Sequence, residues 1–219
     1  MNALKLIFAL GMGALVSACG GTAPATRNAP FEPIAPPKAS APALQPVTIT
    51  QINVEVPRGL TVSEANTYLP NADIVWRGDL IGDRHAQVAA IFTEAFSRTA
   101  ASISGDRNVV VDARVVRFHG LTEKARYSVG GVHNIEFDLM VRDAETGVLL
   151  AEPKRVRADL DAFGGREAIR ADARGETQKV RITAHLAEVL RQEIMVPGGH
   201  KTANLGLFQQ MNKPTSGPS

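Results

Sequence analysis

The segment that most narrows the possible folds is Ile135 to Arg142, where Ile135, Phe137, Leu139 and Val141 alternate with Glu136, Asp138 and Arg142. A period of two puts the four apolar side chains on one side of an extended chain and the charged ones on the other. That pattern predicts a strand with one face buried. Asp143 to Gly147 supplies a five-residue hairpin loop, after which Val148 to Ala158 is expected to return antiparallel.

The remaining periodic segments fit around this strand. Val47 to Val56 reads as a strand with Ile52, Val54 and Val56 on one face, ended by Pro57 and Gly59, and Asp73 to Arg77 as a short apolar strand containing Trp76. Asp83 is placed to cap a helix from Arg84 to about Ile103, with Val88, Ile91, Phe92, Ala95, Phe96, Thr99 and Ile103 on one stripe and Gly105 as the stop. Asn108 to His119 alternates again through Val109, Val111, Ala113 and Val115. Strand, helix and strand in succession predict a right-handed parallel crossover. A second helix is expected from about Glu176 to Met195, with Thr183, Ala187, Leu190 and Ile194 inward and His185 outward between Ile182 and Val189. The sum is an α+β fold, a two-layer sandwich of a mostly antiparallel sheet with two helices on one face, in a single domain over 47–196. Pro197, Gly198 and Gly199 end the last helix, and 197–219 has the composition of a disordered tail.

Upstream of the domain the composition changes. Lys5 precedes an apolar run from Leu6 to Val16, which as a helix covers about 16 Å, half of a hydrocarbon core, so it reads as a signal peptide over 1–18 and not as a membrane span. Gly20 to Pro46 is dominated by Ala, Pro, Gly, Thr and Ser, and its prolines block both helix and sheet. As a polyproline tether at ~3.1 Å per residue it reaches about 80 Å. Phe31 and Ile34 are the sizeable apolar residues in its middle and read as a chance pair in a linker.

Leu15-Val16-Ser17-Ala18-Cys19 resembles a bacterial lipobox. The resemblance covers the first twenty residues and implies that Cys19 is diacylated on sulfur, becomes the first residue of the mature chain and is usually acylated on nitrogen. It also explains the one cysteine of the sequence, which in an oxidising compartment would otherwise lack a partner. Two or three acyl chains hold a protein on a membrane where one does not. Gly20 stands where an Asp would, by the same resemblance, favour the inner membrane, so the expected location is the outer membrane, with the domain facing the periplasm. The layout of the domain is similar to that of small domains of uncharacterised bacterial envelope lipoproteins.

The residues that carry chemistry are dispersed. The formal net charge is +2, of which Lys5 contributes one, which gives no warrant for nucleic-acid binding. His85, His119, His133, His185 and His200 have no ligand spacing, so no metal site and no cofactor are expected. Nucleophile elbow, P-loop and metalloprotease helix are all absent, and Gly130-Gly131 reads as a bulge or close approach in a strand. Arg77 and Arg84 flank a glycine-rich loop at a helix N-terminus, where an anion would be favoured, although the glycines and the Asp83 cap explain the loop without one. Arg166, Arg170 and Arg174 form a basic stripe if helical, suited to anionic head groups but diluted by Glu167, Asp172 and Glu176 into a solvated face. The expected function is that of a non-enzymatic membrane-anchored lipoprotein that binds another envelope component. The alternatives are a domain that binds an anionic small-molecule ligand through the Arg77 to Arg84 loop, and a hydrolase without a recognisable motif.

Overall fold

The computed structural model describes residues 43–44 and 46–206. The signal peptide, Cys19, Phe31, Ile34 and nearly all of the tether lie outside them, as do residues 207–219. In chain order the elements are β1 (Val47–Glu55), β2 (Ile74–Val75), α1 (Arg84–Ser102), β3 (Arg107–His119), α2 (Glu123–Arg126), β4 (Gly131–Asp143), β5 (Lys154–Arg157), β6 (Leu160–Ala162), α3 (Gly165–Ala173) and α4 (Gln178–Met195).

The six strands form one open sheet in the order β1-β3-β4-β5, with β2 also on β3 and β6 also on β4. The α+β reading holds. The sheet is mixed: β1 and β2 run parallel to β3, as the strand-helix-strand crossover requires, while β4 is antiparallel to β3, β5 and β6. The expected return strand over 148–158 is shorter than its composition suggested. Leu149 makes one isolated bridge to Arg142, and regular pairing begins only at Lys154, after Pro153, which has no N–H to give to a ladder.

Two strands change face part-way along. On β3, Val109, Val111, Ala113 and Val115 point into the core, an extra residue at Val116 breaks the register with β4, and the core side then passes to Phe118. On β1 the extra residue is Thr50, so that Val47 and Ile49 before it and Ile52 and Val54 after it all face the core. Each bulge inverts the parity of everything beyond it.

Helices α1 and α4 pack over this apolar face and on each other, and Thr99 of α1 donates to the carbonyl of Ala187 of α4 at 2.7 Å. Asp83 caps α1, accepting from the N–H of Ala86 at 3.1 Å, and α1 buries Val88, Ile91, Phe92, Ala95, Phe96 and Thr99 as its spacing predicted. Phe92 is the hub, lying 5.3 Å from Phe137, 5.7 Å from Phe96 and 6.2 Å from Phe118 between ring centroids. The inner face of α4 is wider than expected: Ile182, Leu186 and Val189 are buried together with Thr183, Leu190 and Ile194. His185 is therefore not on an outer face; it is half-buried, with its ring edge-on to that of His200 at 5.8 Å. The opposite side of the sheet carries ion pairs, Asp112 with Arg142 at 2.7 Å and Asp138 with Arg155 at 2.9 Å.

Two short helices were not expected. Arg126 of α2 is buried and reaches Asp172 of α3 at 2.6 Å, which ties the two together. The start of the expected tail also lies against the body: the N–H of His200 donates to Glu193, and Thr202 donates to the carbonyl of Arg157 at 2.6 Å. Among the described residues no helix is long and apolar enough to cross a membrane.

Candidate functional site

At one end of the sheet, three segments distant in sequence enclose an apolar pocket of about 270 Å³. One wall is the loop Tyr68-Leu69-Pro70, the second is His119-Gly120-Leu121 at the end of β3, and the third runs from Ala125 in α2 through Val129, Gly130 and Gly131 to Val132. Hydrogen bonds hold the walls in place. Thr122 caps α2 by accepting from the N–H of Ala125 at 3.2 Å and donates its own hydroxyl to the carbonyl of Thr67 at 2.7 Å. Asn66 accepts from the N–H of Lys124 at 2.8 Å, and the Lys124 ammonium lies 4.8 Å over the Tyr68 ring. Behind the pocket, the side chain of Gln178 bonds both the N–H and the carbonyl of Leu121, anchoring β3 to α4.

Gly130 explains why the third wall turns as it does. Its φ of +73° is open to glycine at little cost, and a Cβ there would lie 2.8 Å from the carbonyl oxygen of Ala162 and from the amide nitrogen of Gly164. The chain passes another chain segment at that point, the close approach expected of this glycine pair.

His119 is the one strongly polar side chain of the walls that is buried. It is there because of the bulge at Val116: with uninterrupted alternation, His119 would share the core face with Val115 and Phe118 would face the pocket. Its Nε2 has no hydrogen-bond partner among the described residues. Burial, helped by the positive charge of Arg117, pushes its pKa down to about 4 against a smaller upward pull from a hydrogen bond to the backbone of Ala72. The ring is thus neutral near pH 7. The rim is apolar and open, with Tyr68 and Leu69 each 48 % exposed and Val129 61 % exposed.

The arginines predicted around the α1 N-terminus are brought together, but with protein acceptors. Arg84 is almost fully buried; its Nε and Nη2 meet both oxygens of Glu64 at 2.6 and 3.0 Å, and Nη1 serves Gln87 at 2.7 Å and the carbonyls of Asp79 and Leu80 at 3.2 Å. Arg77 pairs with Glu123 and donates to the carbonyl of Glu64 at 2.7 Å. The Arg84 hydrogen bond holds the Glu64 carboxyl below its ordinary range, and the pair raises Arg84 in turn. This clamp builds the loop and spends both guanidiniums on it. Its tip, Leu80 and Ile81, projects almost fully into solvent.

Other expected features separate in space. Arg166 and Arg170 lie exposed on α3, whereas Arg174 follows its end and pairs with Glu176 at 2.8 Å. His133 is fully buried and held neutral by that burial. Among the described residues no three His, Asp or Glu side chains gather as metal ligands. A larger cleft of about 640 Å³ runs between Ala43-Leu44, Leu150 to Lys154 and Val196 to Gly199, but its buried carboxylate, Glu193, is already met by Lys154 and the N–H of His200.

The chain belongs to the family of unknown function DUF6778, whose model matches residues 47–210. No functionally described protein matches the sequence. Among solved structures, a candidate lipoprotein from Caulobacter crescentus CB15 is 14% identical, with 65% of this chain and 86% of that one covered at a TM-score of 0.34. A Xanthomonas campestris protein of the DUF330 family is 13% identical, covering 70% and 87% at 0.35. The PelC dodecamer from Paraburkholderia phytofirmans is 12% identical, covering 69% and 91% at 0.31. These likenesses are loose and carry no statement about function.

Proposed function

We propose that this protein is a non-enzymatic envelope lipoprotein, held on the outer membrane by acyl chains on Cys19, whose domain receives another envelope component at the apolar pocket. The observation that carries the reading is the rim: Tyr68, Leu69 and Val129 leave apolar surface in solvent around a formed cavity, where soluble surfaces ordinarily keep such residues scattered. The lipobox residues Val16, Ser17, Ala18 and Cys19 support the anchor. The pocket walls offer chemistry for binding more than for turnover, since His119 is flanked there by Gly, Ala, Val, Leu, Pro and Tyr.

The test places a photo-crosslinking amino acid at Val129 in the full chain, in intact cells, with the exposed Arg98 of α1 as the control site. Crosslinking to one envelope component from Val129 and not from Arg98 is expected. Equal labelling at both sites, or none at Val129, refutes the binding role. Separately, Cys19→Ala should abolish incorporation of labelled palmitate and release the protein from the membrane fraction, and unchanged labelling refutes the anchor.

A further inference from the structure

We propose that two copies of this chain join end to end about a two-fold axis, each seating its Leu80-Ile81 tip in the apolar pocket of the other. This rests on the binding role proposed above and names the component that fills the site as a second copy of the chain. Plug and socket lie at one end of the domain. The N–H of Gly120, in the pocket wall, donates to the carbonyl of Val75 at 2.7 Å, and Arg77 at the base of the loop pairs with Glu123, in the same short helix as Ala125 of the wall. Features on one end are satisfied reciprocally, tip to pocket and pocket to tip, and a two-fold closes the pair without open ends.

The tip is built to stand out. Loop tips ordinarily carry turn-forming polar residues and glycine, yet Leu80 and Ile81 are 91% and 90% exposed. Their backbone is held in place: the Leu80 carbonyl accepts from Gln87 at 2.9 Å and from Arg84 at 3.2 Å, and the Asp79 side chain beside it accepts from Trp76 at 2.8 Å and from Lys179 at 2.9 Å. A tip already held loses little freedom on insertion. The pocket matches it in size. Cutting one buried leucine back to alanine opens about 150 Å³, so about 270 Å³ receives two branched aliphatic side chains. Area gives the same answer. Tyr68, Leu69 and Val129 on the rim, Tyr127 at the end of α2, and the two tip residues together expose roughly 700 Å², close to the ~800 Å² that each partner buries in an interface of standard size. A partner that filled the pocket alone would leave the tip in water, whereas a second copy covers both.

The experiment uses the full chain. In intact cells, two differently tagged copies, one Leu80→Cys and the other Val129→Cys, should form a disulfide-linked pair under a mild oxidant, and either variant alone at least tenfold less of it. In excess detergent, sedimentation should show a dimer of the wild type that Ile81→Asp and Val129→Asp each weaken at least tenfold with melting unchanged, since both positions are exposed. Mixing these two variants should recover dimer, because the intact tip of the Val129→Asp chain meets the intact pocket of the Ile81→Asp chain; a substitution that merely unfolded the domain would recover nothing. A photo-crosslinking residue at Ile81 should label a second copy. A monomeric wild type, no disulfide from the mixed pair, no recovery on mixing, or labelling of phospholipid or a different protein from Ile81 each overturn the proposal. Such a result with Val129 still crosslinking to another envelope component removes the self-pairing and leaves the binding role standing, whereas loss of crosslinking from Val129 removes the binding role itself.

Discussion

The clamp between Glu64 and Arg84 predicts an inversion that distinguishes a structural arginine from an anion site. In Arg84→Met the guanidinium and its charge disappear together. Glu64, whose side chain is 45% exposed, rehydrates and keeps Arg77 nearby, and the Leu80 carbonyl keeps its bond from Gln87 at 2.9 Å, so the Asp79 carbonyl and the Gln87 Oε1 are the acceptors that lose this donor. The cost is about 2 kcal/mol. In Glu64→Gln the guanidinium stays, its side chain only 3% exposed, facing a neutral amide. Removing one partner of a buried pair costs about 3–5 kcal/mol, and the half-exposed position of Glu64 argues for the lower end, about 3 kcal/mol. At about 2–4 °C per kcal/mol for a domain of this size, Glu64→Gln should melt roughly 6–12 °C below wild type and Arg84→Met roughly 4–8 °C below, with the double variant close to Arg84→Met alone. Thermal and urea unfolding of the three variants at pH 7, with and without inorganic phosphate, measures all of this. If Glu64→Gln proves milder than Arg84→Met, or phosphate raises the wild-type melting temperature through Arg84, the clamp is an anion site and the reasoning fails. The clamp also has a pH signature. Because Glu64 titrates below its ordinary 4.5 when folded, its stabilisation is present above 4.5 and is lost as pH falls through the folded value.

Three further outcomes follow from the packing and the histidines. Phe92→Ala should lower unfolding free energy by about 3–5 kcal/mol with an unchanged denaturant slope, since it empties the centre of the aromatic cluster, and a loss under 1 kcal/mol would show that Phe92 is not its hub. Gly130→Ala should destabilise by more than the ~1 kcal/mol of an ordinary glycine replacement, because a positive φ and a 2.8 Å approach to backbone act together; wild-type melting would refute the crossing with Gly164. His119, depressed to about 4 from 6.5, binds its proton more readily unfolded than folded, so stability should rise with pH between about 4 and 6.5 by up to about 3 kcal/mol from this group. His119→Asn should flatten that part of the pH profile, and an unchanged profile would mean that His119 is hydrated or paired.

What the sequence made legible was whatever depends on local period. The stripe of α1 and its Asp83 cap, the buried side of β4 and the parallel crossover into β3 all rest on contacts that neighbouring residues specify, and they appear where the spacing put them. The inner face of α4 was misjudged because two partners, α1 and the sheet with its β6, together bury more than the narrow stripe from Thr183 to Ile194. The pocket was illegible for a different reason. Tyr68, His119 and Val129 belong to segments more than fifty residues apart at the extremes, none of them carries a motif, and an extra valine among valines breaks the count of alternate positions that would have put His119 on their side. Arg77 and Arg84 were visible, but Glu64 and Glu123, which decide their role, lie in loops whose position only the tertiary fold determines.

The extra valine at 116 has an evolutionary corollary. Phe118 and His119 are adjacent, one in the aromatic cluster and the other on the pocket. Deleting Val116 would straighten the strand and leave both in place, because Arg117, Phe118 and His119 already pair with Glu136, Ile135 and Asn134 as an unbroken ladder after Val115 would. The bulge therefore absorbs a one-codon insertion locally, and no residue beyond it changes face. A relative shorter by this one residue would keep both the fold and the face on which its histidine stands.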